Sequence, residues 1–212
     1  MAFDGGEARV LAGTLLLDLI RSAVNRGLAG MEQLAGIPGG IGGALRMNAG
    51  AFGQEIESST RTVNGFSLNG SPFQAARNDI TFDYRRVPEL EDVIITSAVF
   101  GFEKSDPHIL SERMDDILAL RTKKQPLGHP SCGSVFKRPA GYYAGALIEE
   151  AGLKGERAGG AMVSPKHAGF ILNVDGASAA DVYSLINLIE KRVFERFGVR
   201  LEREVRLIGE FD

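Results

Sequence analysis

Three short segments gather residue types that can do chemistry. Phe82-Asp83-Tyr84-Arg85-Arg86 sets two adjacent cations beside an aromatic ring. Guanidinium groups so placed can grip a carboxylate or a phosphate through paired N–H donors. The alternative is a surface pair whose aliphatic stems cover apolar neighbours. Ser131-Cys132-Gly133-Ser134-Val135-Phe136-Lys137-Arg138-Pro139 brings two hydroxyls, a thiol and two cations into a tight turn followed by an extended piece. Here Cys132 reads either as a nucleophile or as a small packed residue. Ser134 reads either as a proton donor near Lys137 or as a turn serine. The third segment is Glu202-Arg203-Glu204-Val205-Arg206. On a strand, Glu202, Glu204 and Arg206 share one face, which by default is a solvated ion-pair face. The histidines His108, His129 and His167 are scattered and lack ligand spacing, so no metal site is expected. His167, in Ser164-Pro165-Lys166-His167-Ala168, reads as structural, and there is no Gly-x-Ser-x-Gly elbow.

A fourth segment acts through backbone rather than side chains. From Gly36 to Gly53 the chain runs GIPGGIGGALRMNAGAFG, dense in glycine and interleaved with Ile37, Ile41, Leu45 and Met47. Such apolar content excludes a flexible linker. It suits either a flat or phosphorylated ligand lying on main-chain N–H groups, or a tightly packed turn. A Walker loop is absent, and G-x-G-x-x-G fails because Leu45 stands where the third glycine belongs.

The elements that must position these segments follow from periodicity and punctuation. Arg9 to Ala12 reads as a strand, and Leu15 to Arg26 as a helix closed by Gly27. Thr62 to Leu68 and Phe73 to Ala76 flank Asn69-Gly70, a hairpin signal. Asp92 to Phe102 is β-rich. Asp106-Pro107 starts a helix through Leu110, Met114, Ile117, Leu118 and Arg121, and a polar loop from Thr122 leads to Ser134. Ala144 to Ala151 forms a short helix before Gly152, and Ala168 to Val174 a strand. Ser178 to Phe197 is the clearest helix. It has Ser178 as cap, Asp181 at N3, a stripe of Val182, Leu185, Ile186, Ile189, Val193 and Phe197, and Gly198 as stop. Glu204 to Ile208 reads as a last strand, on whose sheet that helix should bury its stripe. The expected class is α+β, with a mixed first half over 1–104 and an α/β second half over 105–212.

Composition bounds the function classes. A chain of 212 residues with 44% hydrophobic and 24% charged residues is ordinary for a globular protein of one or two domains. A net charge of -3 indicates no general polyanion-binding surface. The single cysteine excludes an internal disulfide framework and fits a reducing compartment. The N-terminus has no apolar signal region, and no run of apolar residues is long enough to span a bilayer. Cytoplasmic location and no membrane or nucleic-acid partner are expected.

Taken in order, these segments resemble a known family. GLAGMEQLAGIPGGIGGALRMNAGAFG, FDYRR, GSVFKRP, GYYAGALIEEAGLKG, GGAMVSPKHAGFILN and EVRLIG are similar to the signatures of the UDP-N-acetylenolpyruvoylglucosamine reductases, the MurB flavoenzymes of peptidoglycan synthesis. The resemblance runs from about Val10 onward. The passage from GSVFKRP to GYYAG resembles the subgroup without an inserted tyrosine loop over the substrate.

The resemblance implies a partial FAD-binding domain of the PCMH type followed by a substrate-binding domain. It implies FAD and NADPH as cofactors and UDP-N-acetylglucosamine enolpyruvate as substrate. Arg85 and Glu204 would then hold or polarise the substrate carboxylate, and Ser134 would give a proton to C2. Tyr84, Lys137 and Arg138 would contact substrate, and Ile37, Pro38, Gly39, Gly42, Gly43, Asn48 and Gly50 would line the flavin. Two departures accompany it. Val87 stands where the family often has serine. The family's glycine-serine-asparagine loop for the FAD pyrophosphate also has no counterpart ahead of the first motif. The expectation is therefore either a flavin-dependent reductase or its catalytic part, or a truncated non-catalytic relative that binds a UDP-sugar without FAD. The chain as given is expected to bind FAD weakly or not at all, to show little reductase activity, and to associate through an exposed apolar face.

Overall fold

The computed structural model describes residues 1–210 and has an α+β architecture. The chain divides into two compact units, Met1–Arg121 and Thr122–Asp212. Phe211 and Asp212, the end of the expected second half, lie outside the described residues.

The first unit is built on a five-stranded antiparallel sheet. Its strands are β1 (Ala2–Asp4), β2 (Glu7–Leu11), β3 (Thr60–Ser67), β4 (Pro72–Ala76) and β5 (Val93–Gly101). They lie in the order β1-β2-β5-β3-β4. Strand β2 shows the period-two logic: Ala8 and Val10 are buried while Glu7, Arg9 and Leu11 face outward. The β3–β4 hairpin turns at Asn69-Gly70. The Asn69 side chain accepts from Ser71 N–H, and Gly70 takes φ 87, a value costly for any other residue.

Two helices cover the sheet. They are α1 (Leu16–Val24) and the short α2 (Ile41–Arg46), which bury Leu16, Leu19, Ile20, Ile41 and Leu45 against Val10, Val63, Ala98 and Phe100. The third helix, α3 (Pro107–Lys124), starts where Asp106 Oδ1 accepts from His108 N–H at 2.7 Å. Leu110 is fully buried in the first core, and Met114, Ile117 and Leu118 pack on it. Most of α3 therefore joins the first unit, and the division falls later than the 104/105 boundary read from the sequence.

The second unit holds a four-stranded antiparallel sheet ordered β6-β9-β8-β7. The strands are β6 (Ser131–Ser134), β7 (Arg157–Ala158), β8 (Ala161–Val163) and β9 (Phe170–Asn173). Helix α4 is Ala144–Glu150, and α5 is Ala179–Phe197. Leu185, Ile186, Ile189 and Val193 of α5 are buried with Ile148, Val163 and Ile171, and Val182 packs at the edge of that core. The stripe rests on β7 and β8.

The expected strand from Glu204 to Ile208 is absent. A single bridge joins Phe136 to Arg203, and Glu204 N–H donates to Val135 C=O at 2.8 Å. Beyond that Val205 packs against the second core, while Leu207 and Ile208 are exposed, Ile208 to 89%. A strand needs a ladder that continues, and here the pairing stops after the bridge at Arg203.

Candidate functional site

In the first unit, the glycine segment is shaped by what each glycine meets. A Cβ on Gly40 would lie 3.0 Å from Ala12 C=O, and one on Gly42 would lie 3.1 Å from Ala12 Cβ. These two positions let α2 start hard against the chain after β2. There Ile41 N–H donates to Thr14 C=O and Gly42 N–H to Ala12 C=O, both at 2.9 Å. Those N–H groups are thus taken by protein, as the tight-packing reading requires. Gly39 and Gly43 behave oppositely. They are exposed, and a Cβ on either would meet nothing within 4 Å. With the exposed Pro38 they present bare backbone as an open, flat surface, beside a half-buried Ile37.

The segment ends in a polar knot. Asn48 is buried with φ 40, a left-handed conformation. Its amide donates to Glu55 Oε2 at 2.6 Å and to Asp83 C=O at 3.3 Å. The Asn48 Oδ1 acceptor, also buried, has no donor among the described residues. Arg85 reaches the same place from another loop. Asp83 and Arg86 exchange backbone bonds of 2.9 and 3.2 Å, which puts Tyr84-Arg85 at the tip of a tight turn. Arg85 sits there at φ 57, where glycine is usual. Its guanidinium donates to Asn48 C=O at 3.3 Å and Gly50 C=O at 3.0 Å, with the Tyr84 ring 5.0 Å away. A Cβ on Gly50 would crowd Glu55 Cγ at 2.8 Å, so the glycine makes room for the carboxylate that holds Asn48. Arg86 instead pairs with Glu91 on the surface, so the two arginines form no joint clamp.

In the second unit, Ser134 ends β6 as an exposed residue opposite Phe170. Glu204 N–H donates to the carbonyl of Val135, the residue that follows Ser134. Lys137 N–H donates to Glu202 C=O at 2.8 Å, and Lys137 Nζ pairs with Glu202 Oε1 at 2.5 Å. Arg138 lies over Tyr143 at 4.7 Å. Lys137, Arg138, Tyr142, Arg200 and Glu202 line a shallow cavity of about 380 Å³.

Other candidates recede. Cys132 is exposed, but its local surroundings push the thiol up by desolvation, which disfavours a thiolate nucleophile. His167 is pulled down by desolvation. Its Nδ1 accepts from Gly169 N–H at 3.2 Å, and its ring meets Phe170 edge-on. These contacts fix a turn rather than expose a base. Among the described residues no cluster could hold a metal ion, and no helix is long and apolar enough to cross a membrane.

A flat, nitrogen-bearing ring suits the first-unit residues. Gly39 and Gly43 leave room against bare backbone, and Asn48 Oδ1 lacks a donor such as a ring N–H. The sequence missed Glu55, which holds Asn48, and the strain at Asn48 and Arg85. The pattern Asn-x-Gly is too short to reveal either.

Residues 125–208 match the family model described as UDP-N-acetylenolpyruvoylglucosamine reductase, C-terminal domain. The chain is 46% identical over 209 residues to the UDP-N-acetylenolpyruvoylglucosamine reductase of Lactiplantibacillus plantarum, covering 98% of this chain and 69% of that protein. The same figures hold for the enzyme of Pediococcus pentosaceus. The crystal structure of the Thermus caldophilus reductase (MurB) superposes with a TM-score of 0.84 at 35% identity, over 97% of this chain and 73% of that one.

Proposed function

Since this chain belongs to the UDP-N-acetylenolpyruvoylglucosamine reductase (MurB) family, an oxidoreductase family of cell-wall synthesis, we propose that it reduces UDP-N-acetylglucosamine enolpyruvate to UDP-N-acetylmuramate in the cytoplasm, using FAD and NADPH. When bound, FAD would supply hydride, drawn from NADPH, for C3 of the enolpyruvyl ether. We assign flavin contact to Ile37, Pro38, Gly39, Gly42, Gly43, Asn48 and Gly50 within 1–104, and substrate contact chiefly to 105–212.

The rest is work for side chains. Hydride addition to an enol ether that carries a carboxylate builds negative charge on that carboxylate. Arg85, already held at two carbonyls, supplies the compensating cation without having to reorganise. Glu204 helps hold or polarise the same carboxylate. Ser134 donates the proton to C2. An alcohol is a weak acid, but the carbon it protonates is strongly basic, and such a donor is worth about 10²–10⁴ in rate. Lys137 and Arg138, with Tyr84, hold the substrate, the two cations on its phosphates. The observation that most directly supports this reading is the backbone bond from Glu204 to Val135, which ties the Glu204 segment to the chain next to Ser134.

Ser134→Ala tests it. Ser134 is exposed at a strand end, so the fold should persist. Flavin reduction by NADPH should stay within a few-fold, while reoxidation by the enolpyruvyl substrate should slow by about 10²-fold or more. Equal slowing of both halves, followed by stopped-flow absorbance, would reject Ser134 as the donor.

A further inference from the structure

Arg121, near the end of α3, is used by none of the chemistry above. It is only 6% exposed, and its Nε and Nη2 are buried with no acceptor among the described residues. Burial alone pulls the guanidinium down, with no carboxylate to oppose it. These two nitrogens form one edge of the guanidinium, the fork that takes two oxygens side by side. Arg203 shows the fork in use: its Nε and Nη2 donate to the two oxygens of Glu190 at 2.6 and 2.7 Å. Arg121 is more buried than Arg203 yet lacks such a partner. Leaving a buried charge unsatisfied is among the costlier things a fold can do.

What surrounds Arg121 belongs to the two ends of the glycine segment. On one side is Gly36, where a Cβ would press to 2.8 Å from Arg121 Cδ. On the other is Phe52, whose ring lies 5.2 Å from the guanidinium carbon. Phe52 is 38% exposed and holds φ 50 next to Gly53 at φ 82. That is a strained aromatic on a glycine-flanked loop, standing over a desolvated cation.

We propose that Arg121 is an anchor for the diphosphate of a nucleotide bound along the 36–53 segment, with Phe52 as a cover that turns aside to admit it. The inference rests on the proposed function for its choice of ligands, since the flavin dinucleotide and the UDP-sugar both carry a diphosphate. The guanidinium fork is the shared recognition chemistry.

The test compares the wild-type chain with Arg121→Gln and Arg121→Lys, titrated with FAD, riboflavin, a UDP-sugar and inorganic pyrophosphate. If the anchored diphosphate is the flavin's, Arg121→Gln weakens FAD by about 30-fold or more and leaves riboflavin within about 2-fold. The UDP-sugar is then unaffected. If it is the substrate's, the UDP-sugar weakens and FAD does not. Arg121→Lys keeps the charge without the fork and loses about 10-fold for the same ligand. An equal loss for riboflavin and FAD, or no loss for either nucleotide, overturns the proposal. Should the wild type bind no flavin and no UDP-sugar, the proposed function fails, but this inference is still decided. Pyrophosphate must then raise the wild-type melting temperature above that in chloride of equal ionic strength, and the rise must vanish in Arg121→Gln. Should neither variant fold, the wild-type pyrophosphate shift alone decides, and its absence overturns the anchor.

Discussion

Helix α5 and the glycine segment from 36 to 53 are similar in length and opposite in character. In α5, Ser178 Oγ accepts from Asp181 N–H at 3.1 Å, and Asp181 Oδ2 accepts from Ser178 N–H at 2.9 Å. Gly198 closes the helix at φ 68, and the buried stripe runs from Leu185 to Val193. Every local preference agrees with the fold. In the glycine segment, Asn48 and Phe52 hold positive φ without being glycine, and Arg85 does the same in the loop that docks on it. Asn48 Oδ1 and the Arg121 fork have no partner among the described residues. The difference teaches where stability and recognition reside. α5 holds its unit together, while the segment keeps strain and open hydrogen-bonding capacity.

The contrast can be broken most forcefully at Ile186, which is 0% exposed. Ile186→Ala should cost about 2–5 kcal/mol in urea denaturation, because a cavity remains beneath α5. A loss below about 1 kcal/mol would mean that this helix is not the stabilising element. Next in size is Ser178→Ala, expected to cost about 1 kcal/mol through the cap. Bonds from the Ser178 backbone and side chain hold the Asp181 carboxyl below its ordinary 3.8. Its share of the cap is therefore present above that value and lost as pH falls through the depressed one. The Ser178→Ala deficit should shrink in acid accordingly. Smallest is Phe52→Gly. Relief at φ 50 is offset by greater freedom of the unfolded chain and by the lost ring over Arg121. Stability should shift by less than about 1 kcal/mol while nucleotide affinity changes. A loss above about 2 kcal/mol would make Phe52 a packing residue and erase the contrast.

The same contrast governs what could be read in advance. The helix over Ala179–Phe197 was legible because cap, stripe and stop residue all pointed one way. The β3–β4 hairpin was legible from Asn69-Gly70. Helix α2 was not, because Gly42 and Gly43 are poor helix formers and the helix exists through close approach to Ala12. The tail after Leu201 looked like a strand from its alternation, yet only its first residues find backbone partners beside Val135. For the site, Arg85 was visible as a cation beside an aromatic. Its left-handed backbone and its hold on Asn48 and Gly50 were not, since they depend on chain 35 to 37 residues away.

Strand β2 carries a consequence for how the molecule is made. Its central-sheet neighbour is β5, paired from Glu7↔Gly101 to Leu11↔Ser97. A chain leaving the ribosome from its N-terminus must therefore hold Ala8 and Val10 with only the short β1 beside β2 until some ninety further residues have emerged and β5 can pair. The β3–β4 hairpin closes over a short loop and is available much earlier. It can template β5, which in turn captures β2. The order of assembly thus runs from the middle of the first unit back to its beginning. Such long-range closure is slow and leaves an apolar strand waiting, so growing chains halted before residue 93 would be the ones most in need of chaperone protection.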